Sequence, residues 1–379
     1  MGTASVARRT PRHASGGVAV MLSFMQASLG DLSDPNITSI LAGGLIILAL
    51  IAYAVLGGAD YGGGVWDLFA RGPRTKEQRT LIAQAMGPVW EANHIWLIFA
   101  VVVLFTCFPA AFAVVGEALP VPISIALIGI SLRGAAFAFR ASYWAPSAFR
   151  DRMGTIFGVA SLITPFGMGA ALAALASGDI TLNSAGEVDS SVWAGWLTPF
   201  ALGVGALALS LVAYLAAVFL CLEAEGELRE DFRRRALGAA VAVGITATIT
   251  LPLASDAVPS LWVSLTQGVA RPFLVIAPAF GVTSLVALYL RWHRLAAVAA
   301  VGQTAAILTG WGAASFPYLV FPSVTLAGAA AAPQVQLAIL VGAGAGLLVL
   351  VPSLWLLFSL FKGKMPGMVV SPKGTRPRR

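Results

Sequence analysis

The chain has 379 residues, of which 58% are hydrophobic and only 11% charged, with a formal net charge of +7. Soluble domains carry charge on roughly a quarter of their residues, so a water-soluble fold is excluded, and a mean hydropathy of +0.85 reads as an integral membrane protein. The basic excess falls in short connections between apolar runs, which makes it a topology signal rather than a nucleic-acid surface.

Residues 1–35 form an N-terminal extension. Arg8, Arg9 and Arg12 precede an apolar patch from Gly17 to Met25, too short to span a bilayer, where about 20 apolar residues are needed. It fits a weak targeting segment, with Met21 and Met25 as alternative starts. No function is assigned to it.

Nine apolar runs follow, at 37–69, 88–115, 121–139, 153–177, 195–222, 236–254, 272–290, 295–315 and 335–361. They are rich in Ala, Leu, Val and Gly without barrel-type alternation, so helices satisfy the backbone in lipid. Arg71, Arg74, Lys76 and Arg79 lie in the first connection, Arg140, Arg150 and Arg152 in the third, Arg229 and Arg233 to Arg235 in the fifth, and Arg291 and Arg294 in the seventh. The tail after the last run is basic, whereas the even-numbered connections carry Glu117, Asp179, Glu187, Asp189 and Asp256 against Arg271 alone. The positive-inside rule then sets the amino terminus outside and the carboxyl terminus in the cytoplasm.

The first run places Asp60 among Gly57, Gly58, Gly62, Gly63 and Gly64. These glycines allow close helix approach and leave room for water. Asp67 sits nearer the headgroups and reads as interfacial. Gly87-Pro88 starts the second run, and Trp90, Glu91, Asn93 and His94 fall in its first turns, where the helix dipole favours an anionic Glu91. Glu91 and His94, three apart, share a face. A hairpin of the first two runs brings Asp60 and Glu91 to similar depth, as a short acidic relay needs. Intramembrane acids cost several kcal/mol unless paired, hydrated or protonated, so they mark polar paths or partner sites.

Glu-x-x-His also occurs in di-iron bundles, but those repeat the motif and add two glutamates, whereas this chain has three histidines, of which His94 alone lies in an apolar run. The same count argues against haem ligation by paired histidines and leaves a single His ligand as the open alternative. Cys107 and Cys221 lie at different depths, which argues against a disulfide. Arg140 ends the third run and can snorkel. Arg133, about two turns deeper, needs a partner, expected among Asp60, Glu91 and helix-end carbonyls. Ser161, Thr164 and Pro165 read as packing and a kink. LALIAYAVLGGAD (48–60) is echoed by LALSLVAYLAAVFLC (207–221), matching Tyr53 to Tyr214, and each opens four runs. An even number of spans per repeat makes the repeats parallel. Glu223, Glu225, Glu227 and the arginine cluster read as a solvated helix extension, and Phe316-Pro317 and Phe321-Pro322 as an irregular outer segment.

GPVWEANHIWLI resembles the signature opening the second helix of subunit II of cytochrome bd-type quinol oxidases. AYAVLGGADYGGG resembles that family's first-helix segment, LRGAAFAFR its Arg-containing third helix, LTPFALGVGALAL and EGELR its fifth helix and following loop, and ASFPYLVFPS its eighth-helix exit. The ordered set covers roughly residues 40 to 355. The resemblance implies an all-α membrane subunit of about nine transmembrane helices, arranged as a first four-helix bundle (36–178), a second with its outer loops (179–333), and a ninth helix with a basic tail (334–379). It further implies a haem-bearing subunit I as partner, possible small accessory subunits, quinol as substrate of the complex, no cofactor bound by this chain alone, and a place in the bacterial cytoplasmic membrane.

On that pattern Glu91 with Trp90 matches the Trp-acid pair at the proton-entry region, Asp60 the second first-helix acid, and Arg133 the buried arginine. Glu91 is then the main proton carrier, Asp60 its cytoplasmic neighbour, Asn93 and His94 tuners of the relay, and Arg133 with Arg140 an electrostatic brace. Three positions depart: Gly57 and Ala138 stand where the family often has acids, and His94 where it often has glutamine. A stand-alone secondary transporter or channel is the rival reading, resting on the repeat, the glycines and the intramembrane acids; a purely structural partner is the third.

Overall fold

The computed structural model describes residues 36–86, 90–140 and 146–362; the side chains of 86, 90–92, 351, 354, 355 and 357–362 lie outside the described residues. The N-terminal extension and the basic tail beyond 362 lie outside them too.

Helix α1 runs Ile37–Leu68. Asn36 caps it through its Oδ1, which accepts from the Ser39 N–H at 2.9 Å, satisfying one of the free first-turn donors. A short helix α2 (Thr75–Met86) fills the basic connection. Helix α3 (Trp90–Cys107) is followed at once by α4 (Pro109–Ala118), bent by 118° from it. The break has a local cause: a proline cannot continue the backbone ladder. At the break the Cys107 carbonyl accepts from the Ala331 N–H at 2.8 Å and from Gln336 Nε2 at 3.3 Å.

Helices α5 (Pro120–Arg140), α6 (Ser147–Ser177), α7 (Pro199–Glu223) and α8 (Gly226–Ala257) follow. After them come the short α9 (Pro259–Thr266), α10 (Arg271–Tyr289) and α11 (His293–Ser315). A small antiparallel pair, β1 (Tyr318–Val320) and β2 (Val324–Thr325), then precedes α12 (Pro333–Lys362). The expected irregular outer segment is thus a hairpin, with cis bonds before Pro317 and Pro322.

Among the described residues eight helices are long and apolar enough to span a membrane, nine if the bent α3–α4 pair is one span. The chain is a multi-pass α-helical membrane protein. Each expected apolar run overlaps one of these helices, the second being divided between α3 and α4; the fifth starts four residues ahead of α7, α6 begins six residues before its run, and α8 adds ten, because Gly226 to Arg235 prolong the helix with a charged first part. Helix α7 is the hub. It packs on α8, α6 and α1, and α11 joins it, while α5 pairs with α6 and α10 with α11.

Small residues set the closest approaches. A Cβ on Gly62 would stand 2.0 Å from the Val212 carbonyl oxygen of α7, and one on Gly64 would stand 2.1 Å from Ser161 Oγ of α6. The glycine cluster therefore corrects one expectation: at Gly58, Gly62 and Gly64 neighbouring helices occupy the space that was expected to hold water. Helix α12 is tied in at its start, where buried Gln336 accepts from Thr38 Oγ1 (2.6 Å) and Ser39 Oγ (3.1 Å) of α1.

Candidate functional site

The first half of the chain buries a polar cluster where α1, α3, α5 and α6 meet. Its origin is a π-helical turn in α1, Tyr53–Gly57. Such turns disturb the regular ladder and recur at functional sites. Here the Leu56 carbonyl accepts from Asn93 Nδ2 of α3 at 3.3 Å, and the same amide donates to Asp60 Oδ2. Asp60 and Asn93 are 4% and 7% exposed, so one side chain on α3 satisfies both a loosened backbone carbonyl and a buried carboxylate.

Tyr53 and Tyr61 continue the cluster, their hydroxyls 2.9 Å apart. Tyr53 Oη lies 3.5 Å from His94 Nδ1, and the tyrosine ring centroids stand 5.9 and 6.1 Å from that of the imidazole. The imidazole itself is half-buried. Gly57 has a related role: a Cβ there would meet the Tyr53 ring at 2.8 Å, so its lack of a side chain gives that ring its place.

Arg133 of α5 is 1% exposed. Its Nε donates to Ser161 Oγ at 3.2 Å, and its guanidinium lies 4.7 Å from the Tyr61 ring centroid and 5.1 Å from that of Phe157. Cation–π contact of this kind partly replaces lost hydration. Asp60 supplies the nearby opposite charge, yet the two form no direct ion pair among the described residues, and Arg133 Nη2 makes no hydrogen bond there. The expected partner list was therefore incomplete: a hydroxyl and two aromatic faces contact the guanidinium directly, while Asp60 acts as a nearby charge.

Asp67 is 2% exposed, and Arg140 holds it with two parallel bonds, Nη1 to Oδ2 at 2.6 Å and Nη2 to Oδ1 at 3.0 Å. Arg140 thus bridges α5 to the end of α1. Trp90 and Glu91 belong to the first turn of α3, but their side chains lie outside the described residues, so the expected apposition of Glu91 with Asp60 does too.

At the same end of the molecule Arg74 clasps α8. It donates from Nε and Nη2 to the two oxygens of Asp231 at 2.8 and 2.7 Å and also pairs with Glu227. Hydrogen bonding to Asp231, reinforced by the charges of Asp231 and Glu227, raises the Arg74 guanidinium above its ordinary pKa. Gln78 joins Asp231 to Arg235, which lies over Trp66. Sequence reading missed this clasp and the role of Tyr61. The first joins residues more than 150 positions apart, whereas Tyr53 and Tyr61 were open to discovery, since positions eight apart share a helix face.

Among the described residues no group of three or more His, Cys, Asp or Glu side chains is placed to hold a metal ion. Cys107 and Cys221 are free and buried.

These features define a polytopic helical membrane protein whose first half carries a buried acid–amide–arginine cluster. The model of the family "Cytochrome bd terminal oxidase subunit II" matches residues 38–361, and the chain belongs to that family. It is 33% identical over 96 residues to cytochrome bd ubiquinol oxidase subunit 2 of Bacillus subtilis, covering 25% of this chain and 28% of that protein. It is 26% identical over 201 residues to cytochrome bd-I ubiquinol oxidase subunit 2 of Escherichia coli K12, covering 52% of each. The matched stretches thus span about half or less of the length of these curated relatives. The fold is shared with a chain of the bd oxidase from Geobacillus thermodenitrificans, at a TM-score of 0.74 and 24% identity, covering 87% of this chain and 100% of that one.

Proposed function

We propose that this chain is the non-haem subunit II of a cytochrome bd-type quinol:oxygen oxidoreductase in the bacterial cytoplasmic membrane. The observation that carries the reading is the family match over residues 38–361. The haems and the quinol-oxidising site belong to a subunit I partner, to which small accessory subunits can add. This chain is not itself catalytic; it supports the partner and supplies cytoplasmic protons for the reduction of oxygen to water. Its spans form two parallel four-helix bundles, 36–178 and 179–333, plus the helix of 334–379. Its amino terminus is outside and its carboxyl terminus cytoplasmic, as the basic loops argue.

In this reading Glu91, paired with Trp90, is the main proton carrier and Asp60 its neighbour, with Asn93 and His94 tuning the relay and Arg133 and Arg140 fixing its electrostatics. Support comes from the continuity of polar groups from Asp60 through Asn93, and from Tyr61 through Tyr53 to His94. A second reading has one observation in its favour: the glycine face beside Asp60 is filled by α6 and α7, as suits a brace for assembly rather than a watered route.

Glu91→Gln and Asp60→Asn variants of the complex, purified from the native membrane, separate the two. Slowed quinol-driven oxygen uptake with full haem content supports the proton route. Loss of haem and partner supports the brace, and normal turnover in both variants overturns the route.

A further inference from the structure

Away from the acid–arginine cluster, α8 and α10 leave a groove of about 380 Å³ between Leu237, Leu285, Val286, Tyr289 and Leu290. It is open to the side and almost wholly apolar. Tyr289 and Trp292, 75% and 59% exposed, stand at its end, the type of aromatic pair that marks the headgroup level.

The charge at that mouth is unbalanced. Arg233, Arg234 and Arg291 share a single carboxylate, Glu230, at 2.6, 3.5 and 3.8 Å. Arg234 and Arg291 keep 75% and 70% of their side chains exposed, and Arg294 is exposed beside them. Arg233 and Arg234 lie one helical turn before Leu237, and Arg291 directly follows Leu290, so the surplus charge adjoins the groove. Helix α11 begins at the same point. Its N-cap residue, Trp292, makes no side-chain cap bond, leaving first-turn N–H groups and the positive dipole end available to an anion.

We infer that this groove is a binding site for an anionic phospholipid, with one acyl chain against Leu237, Leu285, Val286 and Leu290 and the phosphate between Arg234, Arg291 and the start of α11. Charge complementarity commits the site to an acidic lipid. A zwitterionic headgroup brings a cation that the arginines repel, and basic pockets between spans are suited to acidic headgroups. An apolar wall joined to a cationic rim also selects a lipid over a soluble phosphate. The site bridges α8 and α10, which share far fewer direct contacts than α8 does with α7 or α10 with α11.

The test uses the full chain with its co-purifying subunits, titrated in mild detergent with phosphatidylglycerol or phosphatidylcholine of identical acyl chains and followed by native mass spectrometry. Phosphatidylglycerol is expected to bind at least about tenfold more tightly, with each arginine contributing about fivefold. Arg234→Gln with Arg291→Gln should remove most of the preference. Arg234→Lys with Arg291→Lys should keep much of it, and Leu285→Trp should weaken both lipids by filling the groove. The charge variants alter exposed side chains, so folding is preserved. Equal binding of the two lipids overturns the inference. So does a preference untouched by the double glutamine variant, or displacement of the lipid by millimolar inorganic phosphate.

Discussion

The two halves of the chain solve the same packing problem with different chemistry. Tyr53 and Tyr214 hold matching places in the echoed segments of α1 and α7, and counting back seven residues from Arg140 and from Arg291 reaches Arg133 and Ser284. In the first half these positions belong to an ionic centre with Asp60, Asn93 and Ser161. In the second, the Tyr214 hydroxyl donates to Ser284 Oγ, whose own hydroxyl donates to the Ala296 carbonyl at 2.8 Å. The neutral chain closes on itself with every donor used. The ionic one needs a π turn, an amide on α3 and two aromatic faces, and still leaves Arg133 Nη2 without a described partner. A centre that is harder to satisfy yet present is the better candidate for function, because buried charges in lipid carry a standing cost.

The comparison breaks most sharply at Arg133. Arg133→Met should destabilise the chain by about 2–3 kcal/mol by removing the charged hydrogen bond to Ser161 and the positive charge near Asp60, and adding Asp60→Asn should recover part of that loss. SDS titration in mixed micelles measures both, and a double variant no better than the single one contradicts the pairing.

Backbone contacts rank beside it. Gly62→Ala drives a methyl into the Val212 carbonyl and should cost about 3 kcal/mol. Gly281→Ala in the second half meets only the flexible end of Gln303, 2.7 Å away, and should cost well under half as much. Parallel unfolding curves for the two variants check the difference.

The paired arginines at the helix ends sharpen the contrast further. Arg140→Gln strands Asp67, which is nearly fully buried, and should cost about 2 kcal/mol, between exposed and buried pairs. Arg291→Gln loses only a long contact with a shared carboxylate and should be near neutral in the same assay. The smallest effect is expected at the neutral centre itself. Tyr214→Phe removes one hydrogen bond and should cost about 1 kcal/mol, in line with interhelical hydrogen bonds in membranes; a loss as large as that of Arg133→Met would erase the distinction between the halves.

Much of the site was legible because lipid makes polar residues conspicuous. Asp60, Asn93, His94 and Arg133 stand out in apolar runs whatever surrounds them. Ser161 does not, since it is an ordinary helix residue until a neighbouring helix is placed against it, and the spacing of Tyr53 and Tyr61 shows that they share a face but not that His94 and Arg133 meet them there. The partner of Asp67 was hidden for the same reason: only the return of α5 brings Arg140 over it.

By itself the sequence determined the solvent, the succession of spans, their limits to within a few residues apart from the added starts of α6 and α8 and the division of the second run, and the polar residues that interrupt them. These follow from composition and from the length of hydrocarbon a helix must cross, which are local quantities. The tertiary structure decided the filling of the glycine face, the Arg74–Asp231 clasp and the partners of Arg133. Each depends on groups far apart in the chain meeting at a few ångströms, and no local pattern encodes which distant carbonyl, ring or carboxylate a helix packing will bring there.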